Sequence, residues 1–266
     1  MSESPRITVI MGIYNCADTL IEALESLEAQ TYKRFKVVLC DDGSKDNTLE
    51  VAQKWAEAHP NYIVIQNEYN MGLNATLNHC LEYVDTEFVA RMDGDDRSLP
   101  HRFEQEVKFL DEHPDFAIVS GPMHYFDDKG VFMSGKGRGV VTKRDFIAGT
   151  PFCHAPCMVR SEAYRTVKGY SVDKKLLRME DYHLWFKMYA AGYKGYMLAK
   201  PIYEMRDDRN AIARRNWMNR KNEAYVRYIG YKMLKFPWWT YVYCLRPLVL
   251  AIMPACLYDY LHRRKL

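Results

Sequence analysis

The sequence lacks the long apolar run that a secretory signal or a membrane-spanning helix needs. The residues that follow Met1 are mostly polar, and the apolar stretch at 247–257 is shorter than the roughly 20 residues that cross a bilayer. No internal repeat or low-complexity tract is present in the 266 residues. We therefore expect neither a secretory signal nor a spanning helix.

Charge of one sign is not in excess, and the cysteines do not suggest pairing. The 37 basic and 34 acidic residues leave a net charge of +3, so the whole chain carries no nucleic-acid signature. The seven cysteines are an odd number scattered through apolar segments, which indicates reduced thiols in a cytosolic protein. Cys153-His154-x-x-Cys157 has no matching second pair, so buried thiols explain it better than a metal site.

Two glycine-rich phosphate motifs are also missing. Neither Gly-x-Gly-x-x-Gly nor Gly-x-x-x-x-Gly-Lys-Ser/Thr occurs anywhere in the chain. The first motif marks dinucleotide-binding folds, and the second marks the P-loop. Neither kind of site is therefore expected.

The most informative segment that is present is Val89-Ala90-Arg91-Met92-Asp93-Gly94-Asp95-Asp96. A short apolar run ends here in three carboxylates within four positions. Like charges this close repel one another, and none is buried cheaply without a cation. Oxygen ligands suit Mg²⁺ or Mn²⁺, which also bind a substrate diphosphate. The segment predicts a divalent-metal site at the end of a strand; the alternative is a solvated acidic turn before a helix that starts near Pro100.

Apolar runs and helical spacings alternate along the first hundred residues. Buried strands are predicted at residues 7–11, 35–40, 62–66 and 88–90. Helices are predicted from about Thr19, where Thr19-x-x-Glu22 resembles a capping box, at about 48–58, and from about Gly72 to Val84. This β-α-β-α-β-α-β order predicts an α/β fold with a parallel sheet and helices on both faces.

Polar side chains follow three of these strands. Tyr14 and Asn15 follow the first, Asp41 and Asp42 follow the second, and the acid cluster follows the fourth. Ligands bind outside the carboxyl ends of the strands in such sheets. An aromatic face suits a base, and carboxylates accept hydrogen bonds from base N–H groups or ribose hydroxyls. For Asp41 and Asp42 the alternative is a helix-entry turn, since Asp-Gly-Ser suits turns and caps.

The second half offers candidates for an acceptor site. A helix over 102–113, a strand over 116–122 and a glycine-containing mobile loop or hairpin over 129–141 are predicted. His154 then either contacts an acceptor or satisfies a backbone carbonyl.

Glu180 and Asp181 open a further predicted helix, with Trp185 on its inner face. Two acids at a helix N-terminus are stabilised by the macrodipole, which is one interpretation. The other is that a carboxylate held there removes a proton from an acceptor hydroxyl. Arg206 follows a predicted strand at 202–205, where it could balance the charge on a leaving diphosphate.

Together these segments resemble the inverting nucleotide-sugar glycosyltransferases of family 2, which have the GT-A fold. The matching motifs, in the family's order, are Met11-Gly-Ile-Tyr14-Asn15, Asp41-Asp42-Gly43-Ser44, Asn70-x-Gly72, Asp93-Gly94-Asp95-Asp96 with Leu99-Pro100-x-Arg102, and Glu180-Asp181-x-x-Leu184-Trp185. They cover about residues 5–210, and the ordered set is highly specific. Two positions depart from the family pattern: Leu77 stands where many members have an arginine, and Arg206 lies near a histidine position.

The resemblance implies a role for each candidate residue. Asp181 would be the general base, and Asp95 would hold Mn²⁺ or Mg²⁺ on the diphosphate. Tyr14 and Asp42 (or Asp41) would hold the base, and Asp93 the ribose. The full set expected at the nucleotide-sugar is Tyr14, Asn15, Asp41, Asp42, Asn70, Gly72, Arg91, Asp93 and Arg206. The set expected at the acceptor is His154, Glu180 and Trp185.

The implied activity is inverting transfer of a hexose or N-acetylhexosamine from a UDP-sugar to a glycan hydroxyl. The acceptor would be linked to a polyprenyl diphosphate, as in O-antigen or capsule synthesis. One alternative is a sugar nucleotidyltransferase, which should carry a glycine-rich basic loop after its first strand, unlike Gly12-Ile-Tyr-Asn15. The other is a non-catalytic scaffold at the membrane surface.

We expect a division of the chain near residue 210, and the composition shifts from Tyr225. Residues 1–210 would form the catalytic domain, with the nucleotide-sugar half to about 100 and the acceptor half from 101. Residues 211–266 are rich in basic and aromatic side chains, which suits helices lying in a membrane interface. The alternative is a pair of helices that cover the catalytic domain. Membrane association would place the protein in the cytoplasm, peripheral at the inner face of the cytoplasmic membrane.

Overall fold

The structure is a computed structural model that describes residues 4–207 and 217–252. Its strands are β1 Ile7–Ile13, β2 Phe35–Asp41, β3 Tyr62–Gln66, β4 Phe88–Arg91, β5 Arg97–Ser98, β6 Ile118–Ser120, β7 Met123–Asp127, β8 Gly130–Ser134, β9 Gly139–Val141, β10 Met158–Arg160, β11 Gly195–Met197 and β12 Tyr203–Arg206. Its α-helices are α1 Ala17–Glu28, α2 Thr48–Ala58, α3 Leu73–Leu81, α4 Arg102–Glu112, α5 Asp145–Ala148, α6 Ser161–Val167, α7 Glu180–Ala190, α8 Trp217–Met233 and α9 Arg246–Ile252. In the described part of the chain, 3₁₀ helices span Lys174–Leu176 and Trp238–Leu245.

The main sheet has the strand order β3-β2-β1-β4-β10-β6-β11-β9. Its first four members are parallel, as the continuous apolar runs predict. Each face of these strands is buried in a separate core: Val9 packs with Leu24 of α1, whereas Ile10 packs with Leu77 of α3. The predicted α/β class with helices on both faces is therefore confirmed.

The other half of the main sheet departs from the all-parallel prediction. Strand β10 runs antiparallel to both β4 and β6, and β9 runs antiparallel to β11. A second sheet has the order β5-β12-β7-β8. Because β5 follows the acid cluster directly and pairs with β12, the cluster lies where the two sheets meet.

Two local predictions are corrected. Helix α1 begins at Ala17, and Thr19 Oγ1 donates to the carbonyls of Cys16 and Gly94. The predicted capping box therefore does not form, and Glu22 instead forms ion pairs with Arg97 and Arg206. Residues 129–141 are not one loop or hairpin, since β8 belongs to the second sheet and β9 to the main sheet.

Helix α8 packs on α7 and joins one of the two cores. Val226 and Tyr231 are fully buried, and the Tyr231 ring lies 6.1 Å from that of Phe186. A side chain at Gly230 would begin 2.3 Å from the Phe186 ring, so only glycine permits this close approach. The inner face of α8 therefore covers the preceding domain, as the alternative of covering helices predicts.

Several large apolar side chains after α8 face solvent. They are Trp238, Trp239, Val242, Tyr243, Leu245, Val249 and Ile252, which we call the aromatic surface. Within residues 4–207 and 217–252, no helix combines the length and apolarity needed to cross a membrane. The basic terminal segment His262-Arg263-Arg264-Lys265 lies outside the described residues.

Candidate active site

The carboxyl ends of β1 and β2 open into a cleft with a cavity of about 340 Å³. The cavity lies beside β1. In the sheet, β2 and β3 lie on one side of β1 and β4 lies on the other, so the strand order reverses at β1. Open α/β sheets bind ligands at such a reversal. The residues of its wall that matter below are Tyr14, Asp42, Asn70, Gly72, Leu177, Arg178 and Glu180. The first four were expected at a nucleotide-sugar, and the structure brings them together.

Asp42 is fixed at the back of this cavity by three hydrogen bonds. Its Oδ1 accepts from Asn67 Nδ2 and from the Met71 N–H, both at 2.8 Å, and its Oδ2 accepts from the Gly72 N–H at 2.9 Å. Gly72 has a φ of +84°, which favours glycine. Sequence reasoning missed Asn67, although it directly follows β3 and so obeys the same strand-end rule.

Asp41 and Asn15 do not face the cavity as binding groups. The Asp41 carboxylate, which is 1% exposed, accepts from the Gly43 and Ser44 N–H groups at 3.1 Å and closes the turn after β2. Asn15 Oδ1 accepts from the Lys45 N–H at 2.7 Å. The turn interpretation is therefore right for Asp41, and both side chains support the loop beneath the cavity.

The acid cluster is not a solvated turn. Arg91 is 5% exposed and forms a two-pronged pair with Asp93, one contact being 2.6 Å. Asp96 is buried and accepts from the Arg206 N–H at 2.8 Å; burial and the charges of Asp93 and Asp95 raise its pKa to about 8. Asp95 is the most exposed of the three carboxylates, and Asp93 is half-buried.

The Asp95 carboxylate suits a metal that is shared with substrate. No ion pair from another described residue reaches it, and partial desolvation with the nearby charge of Asp93 raises its pKa. The described part of the chain contains no cluster of three His, Cys, Asp or Glu side chains that would enclose a cation. Mg²⁺ is commonly held by one or two carboxylates together with substrate phosphates and water, so this donor set fits a metal–diphosphate site.

Arg206 lies next to this carboxylate. Its Nε donates to the Asp95 carbonyl at 3.2 Å, and its guanidinium pairs with Glu22 at 2.5 Å and with Asp128 at 3.6 Å. In this arrangement Arg206 holds the backbone of Asp95 and the side chain of Asp96. A direct contact between Arg206 and a diphosphate stays a prediction.

Asp181 is the second residue of α7 and follows Glu180, which lines the cavity. Burial raises its pKa to about 6, against the lowering effect of the Tyr182 N–H, and the charge of Glu180 adds to the increase. Thr150 Oγ1 lies 3.5 Å from its Oδ2. The thiol of Cys153 is influenced by both Asp181 and Asp93. Burial, followed by the charges of these two carboxylates, raises its pKa to about 12. The Asp181 carboxylate therefore lies within electrostatic range of the residue that also senses Asp93.

The three residues expected at the acceptor have other surroundings in the structure. Trp185 is 0% exposed and packs edge-on to Phe152 with centroids 5.5 Å apart, so it cannot touch an acceptor. His154 is buried and its Nε2 lies 2.7 Å from the Tyr170 hydroxyl; burial lowers its pKa, which keeps it neutral. Glu180 lines the cavity beside β1 instead, together with residues that were expected at the nucleotide-sugar.

The mixed sheet, with a cavity at the end of β1 and an acid cluster after β4, has the GT-A-like α/β fold. The model described as "Glycosyl transferase family 2" matches residues 8–167, and the chain belongs to this family.

Two curated relatives illustrate the relationship. EpsE of Bacillus subtilis (strain 168) is 40% identical over 271 residues, which cover 100% of this chain and 96% of EpsE. The Escherichia coli protein WfaP is named as a UDP-Glc:alpha-D-GlcNAc-diphosphoundecaprenol beta-1,3-glucosyltransferase. It is 27% identical over 191 residues, which cover 71% of this chain and 72% of WfaP. These relatives include a transferase that acts on a lipid-linked sugar.

Solved structures share the fold. S. aureus TarS 1-349 in complex with UDP-GlcNAc superimposes with a TM-score of 0.69 at 21% identity, covering 91% of this chain and 70% of TarS. The mannosyltransferase PcManGT of Pyrobaculum calidifontis, in complex with GDP-Man and Mn²⁺, gives 0.62 at 19% identity, covering 99% and 80%.

Proposed function

We propose that this glycosyltransferase moves a hexose or N-acetylhexosamine from a UDP-sugar to a glycan that is linked to a polyprenyl diphosphate, in cell-surface polysaccharide synthesis. The observation that carries the proposal is Asp181, a half-buried carboxylate that follows Glu180 of the cavity wall and whose pKa is raised by burial to about 6. The name of WfaP and the UDP-GlcNAc bound to TarS support a UDP-sugar donor. The name of WfaP also supports a lipid-linked acceptor.

In this proposal the donor occupies the cavity beside β1. The exposed Tyr14 ring stacks on the base, and the Asp42 carboxylate accepts a base N–H. Asn70 and Gly72 contact the nucleoside, and Asp93, oriented by Arg91, accepts from the ribose. Asp95 would hold Mn²⁺ or Mg²⁺ on the diphosphate, where the ion supplies charge stabilisation for the departing UDP. Arg206 adds positive charge at the same end.

The transfer is a single in-line displacement. Asp181 accepts the proton of the acceptor hydroxyl, and that oxygen forms a bond to the anomeric carbon. The bond from this carbon to the diphosphate oxygen breaks, and UDP leaves with the electron pair. Because the attack comes from the opposite face, an α-linked donor gives a β-glycoside.

The test is a panel of UDP-glucose, UDP-galactose, their N-acetylhexosamine counterparts and GDP-mannose, each supplied with Mn²⁺ and undecaprenyl-diphosphate-linked GlcNAc. We expect one UDP-sugar to give a product whose new linkage is β, and we expect EDTA to abolish its formation. The measurements are nucleoside diphosphate release and NMR of the product. If the protein neither binds nor turns over any of these donors, the result would support the scaffold alternative.

The same proposal places the protein on the inner face of the cytoplasmic membrane through the aromatic surface. Trp238 and Trp239 are 85% and 55% exposed, and the basic side chains of Lys232 and Lys235 are exposed nearby. Aromatic and aliphatic groups flanked by cations suit the interface of an anionic bilayer. A lipid-linked acceptor would then be reached without leaving the membrane surface.

We expect the double substitution Trp238→Ala and Trp239→Ala to weaken binding to vesicles that contain anionic lipid by at least about tenfold, roughly 1.4 kcal/mol. The reason is the loss of apolar area from the bilayer interface. Co-sedimentation measures this binding. Trp217→Ala removes another exposed aromatic from outside the aromatic surface and is the matched control. Unchanged vesicle binding by the double variant would contradict the proposed role.

A further inference from the structure

Helix α8 donates hydrogen bonds to a loop beside Asp181. Arg227 is 2% exposed, and its Nη1 donates to the Ile147 carbonyl at 2.9 Å while Nη2 approaches the Ala148 carbonyl at 3.4 Å. Its guanidinium is oriented by Glu223, whose Oε1 accepts from Nε at 3.2 Å and from Nη2 at 3.0 Å. A buried, oriented guanidinium thus binds the last carbonyls of α5.

Other donors converge on the same short helix. Arg246 Nη1 donates to the Ala148 carbonyl at 2.8 Å, and the Tyr182 hydroxyl donates to the Phe146 carbonyl. The last carbonyls of a helix have no partner within it, so side-chain donors from elsewhere fix its position. Thr150, next to Asp181, follows α5 by two residues. The position of the segment beside Asp181 therefore depends on α8 and α9.

A second contact from α8 reaches the donor side of Asp181. Asn222 is 6% exposed, and its Nδ2 donates to the Leu177 carbonyl at 3.1 Å. Leu177 and Arg178 line the nucleotide cavity, and Arg178 has a φ of +67°, an uncommon conformation that its surroundings must maintain. One helix therefore holds backbone on both sides of Asp181.

We propose that Arg227 and Asn222 are positioning residues for sugar transfer: Arg227 sets the segment beside Asp181, and Asn222 sets the wall of the donor cavity. This inference rests on the proposed function, and it makes the C-terminal helix α8 part of the active-site scaffold. The two residues act through different loops, so their loss has different kinetic consequences. Small displacements of groups around a reacting centre cost large factors in rate.

The test compares Arg227→Lys and Asn222→Ala with wild type, with a water-soluble acceptor analogue so that membrane binding plays no part. Lysine keeps the charge of Arg227 but has no planar fork to reach Glu223 and two carbonyls together. We expect Arg227→Lys to lower kcat about tenfold or more, with donor KM within twofold of wild type. We expect Asn222→Ala to raise donor KM about fivefold or more with a smaller change in kcat.

Two controls keep the result specific. Arg246→Gln removes only the outer donor to the Ala148 carbonyl. Because Arg246 is half-exposed, this variant should fold, and it should reproduce part of the loss in kcat. Lys221→Ala removes an exposed cation next to Asn222 on the same helix and should leave both constants unchanged. Thermal unfolding establishes that each variant is folded.

Hydrogen exchange gives a readout that does not depend on turnover. Amide exchange should accelerate at residues 146–150 in Arg227→Lys and at 175–179 in Asn222→Ala. Wild type that turns over no donor would overturn the proposed function, whereas the exchange pattern would still test the positioning. Folded variants that keep kcat and KM within twofold of an active wild type, or unchanged exchange in both segments, would overturn the inference.

Discussion

The variant Asp181→Asn is expected to lower kcat for sugar transfer by about 10²- to 10⁴-fold, the usual contribution of a positioned general base. Asparagine has nearly the same shape but does not accept the acceptor's proton. Donor affinity should stay within about twofold, because the nucleotide cavity is lined by other residues. Steady-state kinetics with the lipid-linked acceptor and calorimetric titration of the donor measure the two effects separately.

A neighbouring acid provides the comparison. Asp173 is exposed and accepts from the Lys175 N–H at 2.9 Å, a bond that asparagine can also accept. Asp173→Asn should therefore retain turnover. If Asp181→Asn turned over at a near-normal rate, the base would have to be another group.

The pKa of Asp181 gives the same variant a second signature. Burial raises that pKa to about 6, above the value of about 4 expected in the unfolded chain. Ionisation of Asp181 therefore opposes folding: the cost is absent below about pH 4, grows between about pH 4 and 6, and is complete above. It amounts to at most about 3 kcal/mol. Asp181→Asn should melt at a higher temperature than wild type at pH 8, and the difference should fade toward pH 4.

The pH dependence of turnover follows from the same group. Because only the ionised carboxylate accepts a proton, wild-type kcat/KM should rise about tenfold per pH unit below pH 6 and level off above it. A melting difference that is independent of pH, or activity that does not fall below pH 6, would contradict this assignment.

The variant Asp95→Ala is expected to lose the metal-dependent part of donor affinity. In wild type, Mn²⁺ should tighten binding of the sugar nucleotide by at least about tenfold, roughly 1.4 kcal/mol. In the variant, binding with Mn²⁺ should equal binding with EDTA. Removing a carboxylate whose pKa is raised by partial desolvation and by Asp93 should not destabilise the fold. Donor titrations with and without Mn²⁺ measure the change.

Asp128 supplies the matched acid for this experiment. Its side chain is 100% exposed and lies 3.6 Å from Arg206, so Asp128→Asn removes a nearby negative charge without touching Asp95. Mn²⁺ should still tighten donor binding in that variant. Equal responses to Mn²⁺ in wild type and Asp95→Ala would place the metal elsewhere.

Local sequence patterns predicted one half of the fold well and the other half poorly. Strands β1 to β4 are continuous apolar runs separated by helical spacings, so a few neighbouring residues determine each of them. The second sheet depends on distant pairing instead: β5 has two residues, and its partner β12 lies about a hundred positions later. No local periodicity signals such a pairing.

The candidate site divides in the same way. The strand-end rule located Tyr14, Asp42 and the acid cluster, but it could not separate Asp41 from Asp42. That choice depends on the turn at Gly43, whose φ is +71°. Trp185 was expected at the acceptor as part of the Glu180-Asp181-x-x-Leu184-Trp185 motif, although its helical position also indicated the inner face, and it is fully buried in the core. Contacts made by α8 are tertiary, and nothing near Arg227 in the sequence indicates them.

The shared core of α7 and α8 has a consequence for the order of folding. Chains are synthesised from the N-terminus, and the elements that build the nucleotide cavity beside β1 to β4 come largely from the first hundred residues. Phe186 on α7 has no partner in Tyr231 until α8 has left the ribosome. A nascent chain can therefore form β1 to β4 and their helices early, whereas the cavity wall at Leu177 and Arg178 and the segment that carries Asp181 wait for α8, close to the end of the chain.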